Sequence, residues 1–311
     1  MWKRCILVVA VAGVVPLILI ALRARAAREP IYHGHSLSRW VAILAEGGHE
    51  EETIQQAREA IAHIGTNATP FLLAWIQFEP KPGPFRSKLA NPYNWDAPEP
   101  LSLRDRLLHE FRSRRERVAE GAPEAFEALG ARAIPAVPEL TRLMNSRTAP
   151  ITALRAALAL ALMGTNGLPP LLAAIDDPEH QNRFEAVRAI DMLPDNVVLP
   201  AEQVVPHLIP CVTDRNNGSI ARVAVYALRK FGSAPQLVIP ALTNCLSSPD
   251  ARTRWWSVNA LMALNPPAAP ALPALTNALN DPDPSVRRDA GFAVSRIASE
   301  ARRTPAAGIN R

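Results

Sequence analysis

The sequence predicts an all-α protein, a solenoid of about six to seven helical pairs preceded by an N-terminal hydrophobic helix. Three observations predict it. An alanine column recurs at Ala60, Ala125, Ala159, Ala189, Ala227, Ala260 and Ala293, with spacings after Ala125 of 34, 30, 38, 33 and 33 residues. Internal periods in this range mark stacked helical units. A proline column at Pro70, Pro138, Pro170, Pro206, Pro240 and Pro273 has leucine two residues after every member, from Leu72 to Leu275. The composition agrees: 30 prolines in 311 residues, 48% hydrophobic content and only 5% aromatics suit proline-punctuated helices better than a β-sandwich.

Taken in order, the chain begins with the basic Lys3 and Arg4, followed from Cys5 to Leu22 by an uncharged apolar run. Arg23, Arg25 and Arg28 close it. Such a run is long enough to span a bilayer, while Pro16 and the small residues around Arg25 also fit a cleaved signal. Residues 1–28 are therefore expected to be a transmembrane anchor or a signal peptide. The body is expected outside the cytoplasm, membrane-anchored on the periplasmic side or secreted.

Residues 29–49 read as a linker with a short helix over 37–46. The solenoid is expected over 50–300 with an irregular insertion at 79–121, and 301–311 as a flexible tail. Within the solenoid, a helix over 50–64 precedes a unit starting at 67–77. A loop follows over 79–100, then a charged helix over 102–119, then regular pairs over 122–298. In each pair the alanine, the large apolar residue after it (Ile61, Phe126, Leu160, Ile190, Leu228, Leu261, Val294) and another four residues on form one buried helix face. Each proline is expected in the first turn of the preceding helix, where its missing N–H has no partner to lose. Asp177, Asp214, Asp250, Asp281 and Asp283 mark the turns between the two helices. Cys211 and Cys245 recur five residues after Pro206 and Pro240 and read as small buried apolar positions.

The segment from Asp283 through Val286, Arg287 and Ala290 carries the sharpest motif. Asp250 with Arg254 repeats it, and Arg183 occupies the same place in an earlier unit. With proline near the start of the first helix, this pattern resembles HEAT repeats over about residues 50–298, of an exported or membrane-anchored bacterial type. Ala221 departs from it, standing where the arginine is expected. The resemblance implies a curved, right-handed α-solenoid whose inner face binds proteins, or sometimes nucleic acid. Some relatives act on bilin chromophores, but no matching site residues are present.

The net charge of +5 does not mark a nucleic-acid binder. Five basic residues and no acid lie in 1–28, leaving 29 basic and 29 acidic residues in the body. A body without charge excess lacks the footprint that phosphate binding requires. His33, His35 and His49 have no cysteine or carboxylate at ligand spacing, so no metal is expected. No phosphate loop, HExxH or GxSxG motif appears, and no cofactor is expected.

The candidate contacts are therefore those of a binding protein. Phe85, Tyr93 and Trp95 in the 79–100 loop are either partner anchors or pins holding the loop to the solenoid. Trp256, four residues before Ala260, should face the core. Trp255 stands where the last unit has Arg288 and is expected on the concave side beside Arg254; Arg287 and Arg288 complete the set. The expected function is a protein-binding scaffold that meets its partner through the concave face and the 79–100 loop. An enzyme or enzyme subunit of lyase-like type is the alternative.

Overall fold

The computed structural model describes residues 28–46, 50–79, 114–212, 214, 218–264 and 266–303. These form a short β-hairpin and seven helical pairs. The hairpin, β1 (Ile31–Tyr32) and β2 (His35–Ser36), pairs Ile31 with Ser36 and Tyr32 with His35. His33 and Gly34 form its two-residue turn, both at positive φ (47° and 75°), which matches the right-handed twist of the strands. The sequence reading placed a linker here, and two-residue strands leave no alternation to detect. The hairpin leads into α1 (Leu37–Ala45) through the bond from the Leu37 amide to the Pro30 carbonyl, 2.9 Å.

The first helices of the seven pairs are α1, α3 (Thr69–Ile76), α5 (Val137–Met144), α7 (Leu168–Asp176), α9 (Ala201–Val212), α11 (Pro235–Cys245) and α13 (Leu272–Asn277). The second helices are α2 (Glu51–Ile64), α4 (Arg114–Leu129), α6 (Pro150–Leu162), α8 (Arg183–Asp191), α10 (Gly218–Arg229), α12 (Ala251–Leu264) and α14 (Pro284–Arg303). All members of the alanine column lie on second helices and are buried. With no side chain beyond Cβ, they let each second helix lie close to its neighbours. From α4 to α14 the second helices pack along one another more extensively than the first helices do. The second helices therefore form the more closely packed layer of the stack, and its solvent side is here called the inner face.

Two expectations about helix boundaries change. The charged helix was to end at Ala119 and a new unit to begin at Ala122. Instead α4 runs unbroken to Leu129, with Pro123 buried inside it. Pro123 removes one backbone donor, but the helix is pinned on both sides of it. α1 crosses it so closely that a Cβ on Gly121 would sit 2.1 Å from the Val41 carbonyl oxygen. The proline column also divides. Pro70, Pro138 and Pro273 stand in first turns, as expected. Pro206 and Pro240 fall inside α9 and α11. The segment before the proline is 3-10 helix in other units (Gly65–Ala68, Gly130–Ala136, Pro266–Ala271) and α-helix in these two. An added turn at the N-terminus puts the same proline mid-helix.

Among the described residues no helix is long and apolar enough to cross a membrane. The expected hydrophobic segment from Cys5 to Leu22 lies outside the described residues, as do residues 80–113 and 304–311.

Candidate protein-binding surface

Successive units are tied through the turns between their helices. In the sixth pair Arg254 is buried at the start of α12. Its Nε and Nη2 donate to Asp281 Oδ2 and Oδ1 at 2.7 and 2.8 Å, in the turn of the seventh pair. Its Nη1 donates to the Ser248 and Pro249 carbonyls of its own turn, at 2.8 and 3.2 Å. One guanidinium thus closes its own helical pair and clasps the next. The Arg254 hydrogen bonds, against the cost of burial, hold the Asp281 carboxyl below the usual carboxylate range. Arg183 repeats the arrangement, reaching Asp214 in the next unit and the Ile175 carbonyl, 2.7 Å, in its own. Arg287, in the last unit, keeps only the local half, donating to the Asp281 and Pro282 carbonyls at 2.6 and 2.9 Å. The fifth pair has Ala221 at this position, so the α10–α12 interface lacks the tie.

This geometry corrects one expectation. Arg254, expected at a partner-contacting surface, is spent inside the stack. The Val-Arg motif shows where the arginine falls on the helix but not that the next turn supplies its carboxylate. Asp250 and Asp283 serve as expected at turns: Asp250 accepts from the Thr253 amide at 2.9 Å, and Asp283 from the Ser285 amide at 2.8 Å.

The inner face is formed by the residues one and five places before each column alanine, an i, i+4 pair on each second helix. Every one is half-buried or exposed. In α2 and α4 they are Gln55, Glu59, Glu120 and Glu124; in α6, Leu154 and Leu158. From α8 onward they are Phe184 with Arg188, Arg222 with Tyr226, Trp255 with Asn259, and Arg288 with Phe292. The inner surface thus runs from acidic, through aliphatic, to a field of aromatics and arginines over four helices.

The details of that field are specific. The Trp255 indole N–H donates to Asp289 Oδ2 at 2.6 Å, and Arg288 Nε to Asp289 Oδ1 at 2.7 Å. Burial alone would raise the Asp289 carboxyl, but the bonds from Arg288, Trp255 and Asn259 outweigh it and hold the group low. Arg229 lies over the Tyr226 ring, 5.5 Å from its centroid. Phe292 is 62% exposed, an unusual state for phenylalanine. At the other end Glu124 is pushed up by burial, with Arg58 opposing and Glu127 adding to the rise.

Of the expected contact residues, Trp255 and Arg288 fall on this inner field, Trp255 half-buried with its donor already used. Arg287 is exposed beside the last turn. Phe85, Tyr93 and Trp95 lie outside the described residues. Phe184, Arg188, Arg222, Tyr226 and Phe292 were not singled out from the sequence. The alanine column already held the signal: the same offset that selects Trp255 and Arg288 selects Phe184 and Arg222.

Paired helices stacked through a buried small-residue column define the class as an α-solenoid. Residues 205–295 match the family model described as HEAT repeats. No curated protein matches the sequence. Among solved structures, an engineered protein is 17% identical, with 85% of this chain and 97% of that one covered and a TM-score of 0.39. Kap121p bound to Pho4p is 12% identical over 86% of this chain and 31% of its own, at a TM-score of 0.42. Human deoxyhypusine hydroxylase in complex with glycerol is 16% identical over 85% and 96%, at a TM-score of 0.35. At these scores the three are similar in being helical and bear no further on this chain.

Proposed function

We propose that the protein is a non-enzymatic scaffold that binds a protein partner along the inner face of α8, α10, α12 and α14. The observation that carries this reading is the change in that face from carboxylates and leucines to Phe184, Arg188, Arg222, Tyr226, Trp255, Arg288 and Phe292. Tyrosine, tryptophan and arginine are the side chains that carry most binding energy at interfaces. Second helices stack roughly 8–10 Å apart, so the four span about 24–30 Å. An extended segment rising ~3.3 Å per residue would cover that length with about eight or nine residues. Apolar side chains would meet the rings, and acidic groups Arg188 and Arg222. Phe85, Tyr93 and Trp95 of the 79–100 loop are proposed as a second set of contacts.

The scaffold is further proposed to be tethered to the membrane through residues 5–22, or exported if that segment is cleaved, with the solenoid on the extracytoplasmic side. The support is the uncharged run flanked by arginines.

The test is a double substitution, Tyr226→Ala, half-buried, with Phe292→Ala, exposed, compared with the chain bearing Gln203→Ala and Gln236→Ala on first helices. Partner recovery in co-purification is expected to fall at least tenfold for the first pair and to be unchanged for the second. Equal recovery from both would reject the inner face as the contact surface.

A further inference from the structure

The longest spacing in the alanine column after Ala125, 38 residues between Ala189 and Ala227, has a structural counterpart. The added residues form the link from Pro194 to Pro200, which folds over the C-terminal ends of α8 and α10. Beneath it is a cavity of about 400 Å³, within the ~300–1,000 Å³ typical of small-ligand sites. Its wall is aliphatic and aromatic: Ile190, Leu193, Val197, Leu199 and Phe231. Val198, 84% exposed, also lines it.

The charged and hydroxyl groups of the lining are Arg229, Lys230, Asp195 and Ser233. Lys230 is committed to the link itself, its Nζ donating to the Leu193 carbonyl at 2.6 Å and to Asp195 Oδ1 at 3.2 Å. Arg229 is exposed, and its guanidinium rests on the Tyr226 ring. Two cations against one carboxylate give the lining a net positive charge, alongside its apolar side chains.

We propose that this cavity binds an aliphatic group carrying a carboxylate, the chain seated against Leu193, Leu199 and Phe231 and the carboxylate meeting Arg229. Two sources share that chemistry: a free fatty acid, and the C-terminal residue of a peptide ending in leucine, isoleucine or valine. The site meets the inner face through Arg229, whose guanidinium rests on Tyr226, but its test uses small probes and needs no partner on that face.

Titration calorimetry on the full chain tests it, with decanoate, decanol, a tripeptide ending in a free leucine carboxylate, and its C-terminal amide as probes. Saturable one-to-one binding of decanoate or of the free-acid tripeptide is expected, at least tenfold tighter than its uncharged counterpart. Decanoate binding best assigns a fatty acid; the free-acid tripeptide binding best assigns a peptide C-terminus. Arg229→Gln should weaken binding about tenfold. Val198→Asp, which adds a carboxylate at an exposed position of the lining, should weaken it by as much or more; both variants should keep the native far-UV circular dichroism spectrum. Absence of saturable binding for both acids, equal affinity for the uncharged counterparts, or unchanged affinity in Arg229→Gln overturns the proposal.

Discussion

The two ends of the stack share one helical pattern and differ in how units are joined and in what they display. From α8 to α14, Arg183 and Arg254 bridge units from buried positions, and the inner face is aromatic and cationic. From α1 to α6, among the described residues, the cross-unit ion pairs are half-exposed, Arg58 with Glu127 at 3.2 Å and Arg117 with Glu46 at 2.8 Å, the buried Arg155 reaches the Phe78 carbonyl of the preceding unit, and the inner face is acidic and then aliphatic. Close approach also joins units there, as where Gly121 lets α1 press onto α4. The solenoid is thus a common frame; its surface chemistry and its joints are set unit by unit. In a stack where each unit contacts only its neighbours, the joints can differ in strength without changing the fold.

The sharpest way to break this contrast is Arg254→Ala. It strands the buried Asp281 carboxylate, a loss of about 3–5 kcal/mol for a buried pair deprived of one partner. Hydrogen exchange in α14 should speed up while that in α6 stays unchanged; uniform acceleration along the chain would mean that the units do not unfold separately. Next in size, Ala260→Leu overfills the contact of α12 with its neighbours and should cost about 1–3 kcal/mol in chemical denaturation. A neutral result would remove the alanine column as the cause of close packing.

The pH dependence sharpens the same comparison. Asp281 and Asp289 titrate below their ordinary values when folded, so their contribution is present above the unfolded value and is lost as pH falls through the folded one. Glu124 titrates above its ordinary value because of burial, so the α4 region gains stability as pH falls through that raised value. Mild acidification should therefore protect α4 from exchange before strong acid loosens α12 and α14. Loosening of α4 first would contradict the assignment. The smallest effect is expected from Arg58→Ala: its pair with Glu127 is partly solvated, and the melting temperature should move by the equivalent of about 1 kcal/mol or less.

The frame was legible because it repeats. Alanine, the apolar residue after it and the turn aspartates recur at intervals of 30 to 38 residues after Ala125, and most became a buried contact or a cap. What did not repeat was hidden. Phe184, Arg222, Trp255 and Arg288 share one position on four helices but not one residue type, so no single-residue column marks them. A break was expected between Ala119 and Ala122, whereas α1 packs on the helix at Gly121 and the helix runs through. Arg254 read as a surface group because its partner, Asp281, comes 27 residues later and only stacking brings the two together. The cavity under Pro194 to Pro200 left one trace, the interval of 38 in a series otherwise between 30 and 34 after Ala125.

The central claim is that the inner face of α8 to α14 is where a partner binds. Photo-crosslinking tests it most directly, with benzoylphenylalanine placed singly at Phe184, Tyr226 and Phe292 on that face and at Gln203, Gln236 and Thr276 on first helices. The account predicts one common crosslinked protein from all three inner positions and none from the outer three. Crosslinking from the outer positions with the inner ones silent would contradict it.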